Sequence, residues 1–441
     1  MGVWDKCYGI LFMIFQDPIE KMVDSTIEIG LTVFIMLIAI AQLIALRLRI
    51  PYTLMLVFIG IGITAFSTLA LSPGWIQFSV NQIGALYNQL VGTGLFVGLI
   101  VPPLLFEAMI HIRRRELVAV FRPALALATV GVVVSTVVAG IVVWKIAGIS
   151  LFSALLFAVI VAPTDTITIL QVFRRIKVPA RLSTLMEIEA AFNDASAIVL
   201  FSILVSSAKL IDALSILNGI EIFVYNFLAG IAIGIAIAVA AGRIHAWVND
   251  KLAETTLTIV AVYGSYVLAT SIGASGLIAV AIVGLYFGNS TMKRAVSKSV
   301  KTSILSFWEI AAFIGNAVAF MLIGFETNLV LFFDASLFIL VAYLATIIAR
   351  VVTVYPTFAI FKRLGNGMPA AWGNIATMGG VRGALSIALL ATLAGTGILP
   401  SSELSAITAM VLGVVFISII AQVPILSRYA EGIFGKKTAS A

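Results

Sequence analysis

EIEAAFNDASAIVLFS, Glu187–Ser202, places three carboxylates (Glu187, Glu189 and Asp194) directly before an uninterrupted apolar run. The surrounding chain makes that unusual. Of 441 residues, 61% are hydrophobic and 11% charged, and the mean hydropathy is +1.16. A soluble domain carries about 25% charged residues. Apolar stretches of about 20 residues recur along the whole chain, the length a helix needs to cross a bilayer. The alternating segments of a transmembrane barrel, about ten residues long, are not seen. The fold class is therefore an all-α polytopic membrane protein, and Glu187–Ser202 belongs to one of its spans.

The apolar pattern predicts 13 spans, over 26–46, 52–71, 90–110, 121–146, 150–173, 182–208, 219–241, 255–272, 275–289, 303–324, 330–361, 369–395 and 402–427. Loops after odd-numbered spans, with the C-terminal tail, hold 21 of the 27 basic residues, from Arg47 and Arg49 to Lys436 and Lys437. The other side holds Lys6, Lys21, Lys145 and Lys209. By the positive-inside rule the N-terminus lies outside and the C-terminus in the cytoplasm. Topology thus explains the net charge of +7, which is no nucleic-acid signal. Cys7 is the only cysteine, so no intrachain disulfide or thiolate metal site forms. Residues 1–25 read as an interfacial lead-in, because a short apolar run there is flanked by Asp5 and Asp17. His111 and His245 fall in predicted loops and read as surface residues.

Two spans are interrupted. The fifth breaks at Ala162-Pro163-Thr164-Asp165-Thr166, where proline removes a helix hydrogen bond. The twelfth breaks at Met378-Gly379-Gly380, with Gly383 close by. If spans 1–6 (26–208) and 8–13 (255–427) are repeats joined by span 7 (219–241), the broken spans are equivalent. An odd connector inverts the second repeat, and matched breaks in inverted repeats point to a transporter's binding site.

The acids predicted inside the membrane are Glu107, Asp165, Glu187, Glu189, Asp194 and Glu309. Each would cost about 2.5–3.5 kcal/mol or more if charged and facing lipid at mid-membrane. Two basic residues, Arg350 and Arg382, also fall inside spans. On a helix Glu189 and Asn193 share a face, whereas Asp194 points about 140° away from Glu189. Glu187 lies on the Asp194 face, two turns closer to the cytoplasmic end. Glu189 is therefore suited to an internal ion pair with Arg382 or Arg350, and Glu187 to the mouth of a path leading to Asp194. Thr164, Asp165, Asn193 and Asp194 form an oxygen-rich set of the kind a hard cation prefers. A desolvated carboxylate also holds a proton more readily. Proton and cation then compete for one group, which is sufficient for coupled exchange.

The motifs PPLLFEAMI (102–110), PTD (163–165), EAAFND (189–194), IIARVV (347–352) and GGVRGALSIAL (379–389) resemble the cation/proton antiporter superfamily. The nearest branch holds NhaP-type antiporters and the animal sodium/proton exchangers. The resemblance implies two inverted six-helix repeats whose broken spans 5 and 12 cross in a core domain of spans 4–6 and 11–13, beside a dimerisation domain. It implies Na⁺ at Asp194, Asp165 and the Thr164 carbonyl, with Asn193 organising the site and Glu107 bordering it. It pairs Glu189 with Arg382 and makes Arg350 a second core charge. Asn at 193 implies electroneutral exchange, one Na⁺ (or Li⁺) for one proton, in a homodimer without cofactor. Two features depart from the pattern. Ala190 stands where a serine is usual, which leaves Na⁺ against K⁺ selectivity open, and the break reads Thr-Asp-Thr rather than Thr-Asp-Pro. The short tail, 428–441, suggests a prokaryotic cell membrane.

The expected mechanism is alternating access with Asp194 carrying either ion. A cation channel would need a continuous pore, and matched broken spans favour a carrier. An intramembrane serine hydrolase would need a Ser–His pair at membrane depth. An aspartyl type would need Asp165 and Asp194 to adjoin around a water, for which the sequence gives no further sign.

Overall fold

The computed structural model describes residues 32, 34–48, 52–67, 95–165, 169–170, 172–173, 176, 178–206, 213–248, 250–292, 297–326, 335–365 and 368–434. The lead-in over 1–25, Cys7, Arg174, Arg175, Lys177 and the tail beyond 434 lie outside the described residues. Among the described residues every regular element is a helix. The helices are α1 (Phe34–Leu48), α2 (Tyr52–Ser67), α3 (Leu95–Ile110), α4 (Arg114–Ala128), α5 (Val130–Ala147), α6 (Leu151–Ile160), α7 (Ala180–Ser206) and α8 (Ala213–His245). After these come α9 (Lys251–Ser271), α10 (Gly276–Tyr286), α11 (Lys298–Glu326), α12 (Ser336–Arg363), α13 (Ala370–Met378), α14 (Ala384–Thr396), α15 (Ser401–Ile417) and α16 (Val423–Phe434). Single π-helical turns follow α10 (Phe287–Thr291) and α15 (Ser418–Gln422). Among the described residues, seven helical segments are long and apolar enough to cross a membrane, and six shorter apolar ones complete a one-to-one match with the 13 predicted spans. The fourth span is α4 with α5, the twelfth α13 with α14, and the thirteenth α15 with α16.

Local chemistry sets several helix starts. The side chains of Ser150, Asp250 and Ser275 accept backbone N–H groups at the starts of α6, α9 and α10, as N-caps do. The helices pack as two bundles. In the first, α2 lies on α11, α3 on α10 and α11, and α8 and α9 on α10. In the second, α4 lies on α7, α5 on α6 and α12, and α12 on α15. Exchanging each span for the one seven along converts the contact of α2 with α11 into that of α10 with α3. It likewise converts α4 on α7 into α12 on α15. The pairwise packing is thus repeated between the two halves.

One expectation is corrected. His245 is not a surface loop residue. It is fully buried in the last turn of α8, where the chain turns back into α9. One ring nitrogen lies 2.8 Å from the Ala241 carbonyl and the other 3.2 Å from that of Glu254. Glu309, by contrast, is exposed on α11.

Candidate functional site: the crossing of two broken spans

α6 ends at Ile160, and residues 161–165 leave the helix at Pro163. α13 ends at Met378, and residues 379–383 are non-helical before α14 begins. The two breaks meet. The Asp165 N–H donates to the Val381 carbonyl at 2.7 Å. A Cβ on Gly383 would stand 2.6 Å from that of Asp165, closer than packed side chains tolerate. Glycine at 383 is what lets the Asp165 side chain pass.

A helix end leaves four carbonyls without helical partners. At the end of α13 all four are used. Ile375 O accepts Gly379 N–H, and Thr377 O accepts Gly380 N–H. Ala376 O accepts Nε and Nη2 of Arg350, and Met378 O accepts Gln422 Nε2 at 2.6 Å. Past the end of α6, Arg382 Nη1 donates to Ala162 O at 2.6 Å and to Pro163 O at 3.2 Å. Each half-helix thus ends on a guanidinium, which suits the negative end of its dipole.

This geometry corrects the pairing of Glu189 with Arg382. Glu189, 1% exposed, forms a two-pronged salt bridge with Arg350, through Nη1 to Oε1 and Nη2 to Oε2 at 2.8 Å. Arg382 is directed instead at the carbonyls of the break after α6. Its own N–H is held by Ser418 Oγ at 3.1 Å, which fixes where its side chain begins. Both arginines remain buried core charges.

A cleft runs to this crossing. Pro163, Thr164, Asp165, Gly383, Asp194 and Glu187 line it, as does Ala190. Asp194 and Asp165 are partly buried there. Behind them Asn193 Nδ2 donates to Thr164 Oγ1 at 2.7 Å, with both residues buried. Asn193 Oδ1 is buried with no protein hydrogen bond. Glu187 accepts from Ser183 Oγ at 2.9 Å, about 10 Å along α7 from Asp194 at 1.5 Å per residue. Glu107 does not line this cleft. Val101, Leu104, Leu105, Ala108 and Met109 of α3 do, whereas Glu107 turns off that face and pairs with His111 at 3.4 Å. The structure therefore gathers Thr164, Asp165, Asn193 and Asp194, has Glu187 line the same cleft, and leaves Glu107 aside.

Sequence reasoning missed Ser418 and Gln422. Both sit in the π-helical turn of the thirteenth span. That turn lets two polar side chains face the second break, and such turns are frequent at functional sites. Two polar residues in the otherwise apolar stretch 409–426 were the available signal.

Oxygen donors gathered where two interrupted, inverted spans cross define a secondary transporter. The chain belongs to the family described as sodium/hydrogen exchanger, transmembrane, whose sequence profile matches residues 32–431. It is 33% identical over 375 residues to the Na⁺/H⁺ antiporter ApNhaP of Aphanothece halophytica, covering 84% of this chain and 68% of that protein. To the Na⁺/H⁺ antiporter NhaG of Bacillus atrophaeus it is 30% identical over 371 residues, covering 83% and 68%. The solved structure of the sodium proton antiporter MjNhaP1 from Methanocaldococcus jannaschii has the same fold, with a TM-score of 0.73 at 20% identity over 93% of this chain and all of that one.

Proposed function

We propose that this protein exchanges Na⁺ (or Li⁺) for H⁺ across the cell membrane. The observation that carries the reading is the cleft ending on Asp194 and Asp165, backed by the Asn193–Thr164 hydrogen bond. Carboxylate, hydroxyl and carbonyl oxygens suit a hard monovalent cation. Asp194 binds either the cation or a proton, and Asp165 and Thr164 complete the cation's shell. Glu187 is the entrance charge, and Glu189, Arg350 and Arg382 are fixed scaffold charges.

Asn193 supplies no charge of its own, which supports an electroneutral one-for-one cycle. The bundle containing both breaks moves against the other bundle, exposing Asp194 to each side in turn. The first repeat is 26–208, the second 255–427, and span 7 connects them. The N-terminus is outside, the C-terminus cytoplasmic, and the protein a homodimer. The cleft rim at Glu187 then faces the cytoplasm, where the basic loops lie.

The test is Asp194→Asn in proteoliposomes. Sodium-driven proton movement should vanish, and movement that persisted would overturn the assignment. A series of Na⁺, Li⁺ and K⁺ under an imposed pH gradient decides selectivity, because Ala190 brings no hydroxyl to the cleft.

A further inference from the structure

One of the connections between the two bundles, from α3 to α4, has its own anchor. α3 belongs to the first bundle and α4 to the second, and the few residues between them carry the chain across. The local sequence is poorly suited to starting a helix there. Arg113 occupies the N-cap and gives no side-chain cap, a place where Ser, Thr, Asp or Asn is favoured. Arg113, Arg114 and Arg115 put three positive charges at the positive end of the helix dipole.

The missing cap comes from the other bundle. Asn289 Oδ1 accepts the Arg114 N–H at 2.7 Å, across 175 residues of sequence. The same side chain donates from Nδ2 to Ile112 O at 2.7 Å and to Leu285 O at 2.9 Å. Asn289 thus holds the connector from both sides and is itself tied to α10. It lies in the π-helical turn Phe287–Thr291 that follows α10. The preceding Gly288 lies so close that a Cβ would overlap the Ile110 carbonyl oxygen.

We propose that Asn289 is a positioning residue for transport: it pins the start of α4 to the first bundle, so that the second bundle swings about Arg114 as a fixed fulcrum. The proposal rests on the antiport reading. It predicts an effect on the rate of alternation and none on the ion site, which other helices build.

The experiment compares Asn289→Ala, Arg114→Pro and the double variant of the full-length protein in proteoliposomes. Proline is well accepted at a first helical position and removes, along with the exposed Arg114 side chain, the N–H that Asn289 accepts. Arg113 already has the extended backbone (φ −83°, ψ 136°) that a residue before proline requires. Each single variant should lower the maximal exchange rate about tenfold while the half-saturating Na⁺ concentration stays within about twofold, a pattern that separates turnover from binding. The double variant should be no slower than the singles, as expected of two partners in one interaction. Amide hydrogen exchange around Arg114 should quicken in Asn289→Ala, independently of any transport. Unchanged exchange there, additive losses, or a raised half-saturation at unchanged rate would each overturn the proposal. If the parent protein moved no cation, the antiport reading would fail, while the hydrogen-exchange result would still report whether Asn289 holds the connector.

Discussion

Asn193 donates from Nδ2 to the Thr164 hydroxyl at 2.7 Å, tying the middle of α7 to the break after α6. The bond orients two residues at once. It fixes the break just before Asp165, and it turns the buried Asn193 Oδ1 away from Thr164. Replacing Asn193 by Ala should raise the half-saturating Na⁺ concentration about tenfold, equivalent to about 1.4 kcal/mol. Transport measured against Na⁺ concentration in vesicles reads the effect, and an unchanged half-saturation would detach Asn193 from the site.

Glu189 and Arg350 predict a stability effect. Removing one partner of a buried, hydrogen-bonded ion pair costs about 3–5 kcal/mol. Arg350→Ala should show the larger loss, because it also strands the Ala376 carbonyl that Nε and Nη2 now satisfy. Thermal unfolding of purified protein in detergent should show both single variants strongly destabilised, with Arg350→Ala the worse.

Gly383 gives a steric prediction. A methyl group at 383 would press on the Asp165 side chain, and overpacking of this kind costs about 1–3 kcal/mol. Gly383→Ala should fold but exchange cations at least about tenfold more slowly, the factor that about 1.4 kcal/mol carries in a barrier. Gly264→Ala is the control, since a Cβ there meets nothing within 4 Å. Its transport should match the parent.

Ala190 offers a gain rather than a loss. It lines the cleft beside Asp194, where a hydroxyl would add an oxygen donor. Ala190→Ser should lower the half-saturating Na⁺ concentration by about threefold and leave that for K⁺ less changed, because smaller cations gain more from an added hard ligand. A parallel Na⁺ and K⁺ titration decides it.

Gln422 tests the closure of the second break. Gln422→Leu removes the donor to the Met378 carbonyl, and an unsatisfied buried acceptor costs about 1–3 kcal/mol. The melting temperature should fall, with the half-saturating Na⁺ concentration held within about twofold of the parent, which calorimetry and vesicle assays check together.

The spans were legible because hydrophobic length is a local property, and the breaks because Pro163 and Gly379-Gly380 are local breakers. The division of labour along α7 was also legible, since 100° per residue separates Glu189 from Asp194 without reference to other helices. What the sequence left open was partner choice at a distance. Glu189 and Arg350 are 161 residues apart, and nothing in either helix says which arginine its carboxylate meets. The answer depends on Ser418 holding the Arg382 backbone and on Ala376 holding Arg350, both set by packing. The π-helical turns behave likewise. They bring Gln422, Ser418 and Asn289 into position, yet no periodicity marks them. His245 was misplaced because the predicted end of its span fell short, and α8 continues through it.

The two half-helix ends differ in what they bring to the cleft. The carbonyls closing α13 are all occupied by the protein's own donors, and from that break only the bare Gly383 borders the cleft. The break after α6 brings Thr164 and Asp165 to the same space. The two matched breaks are thus unequal where they border the cleft: one brings side-chain oxygens to it, the other a backbone without a side chain.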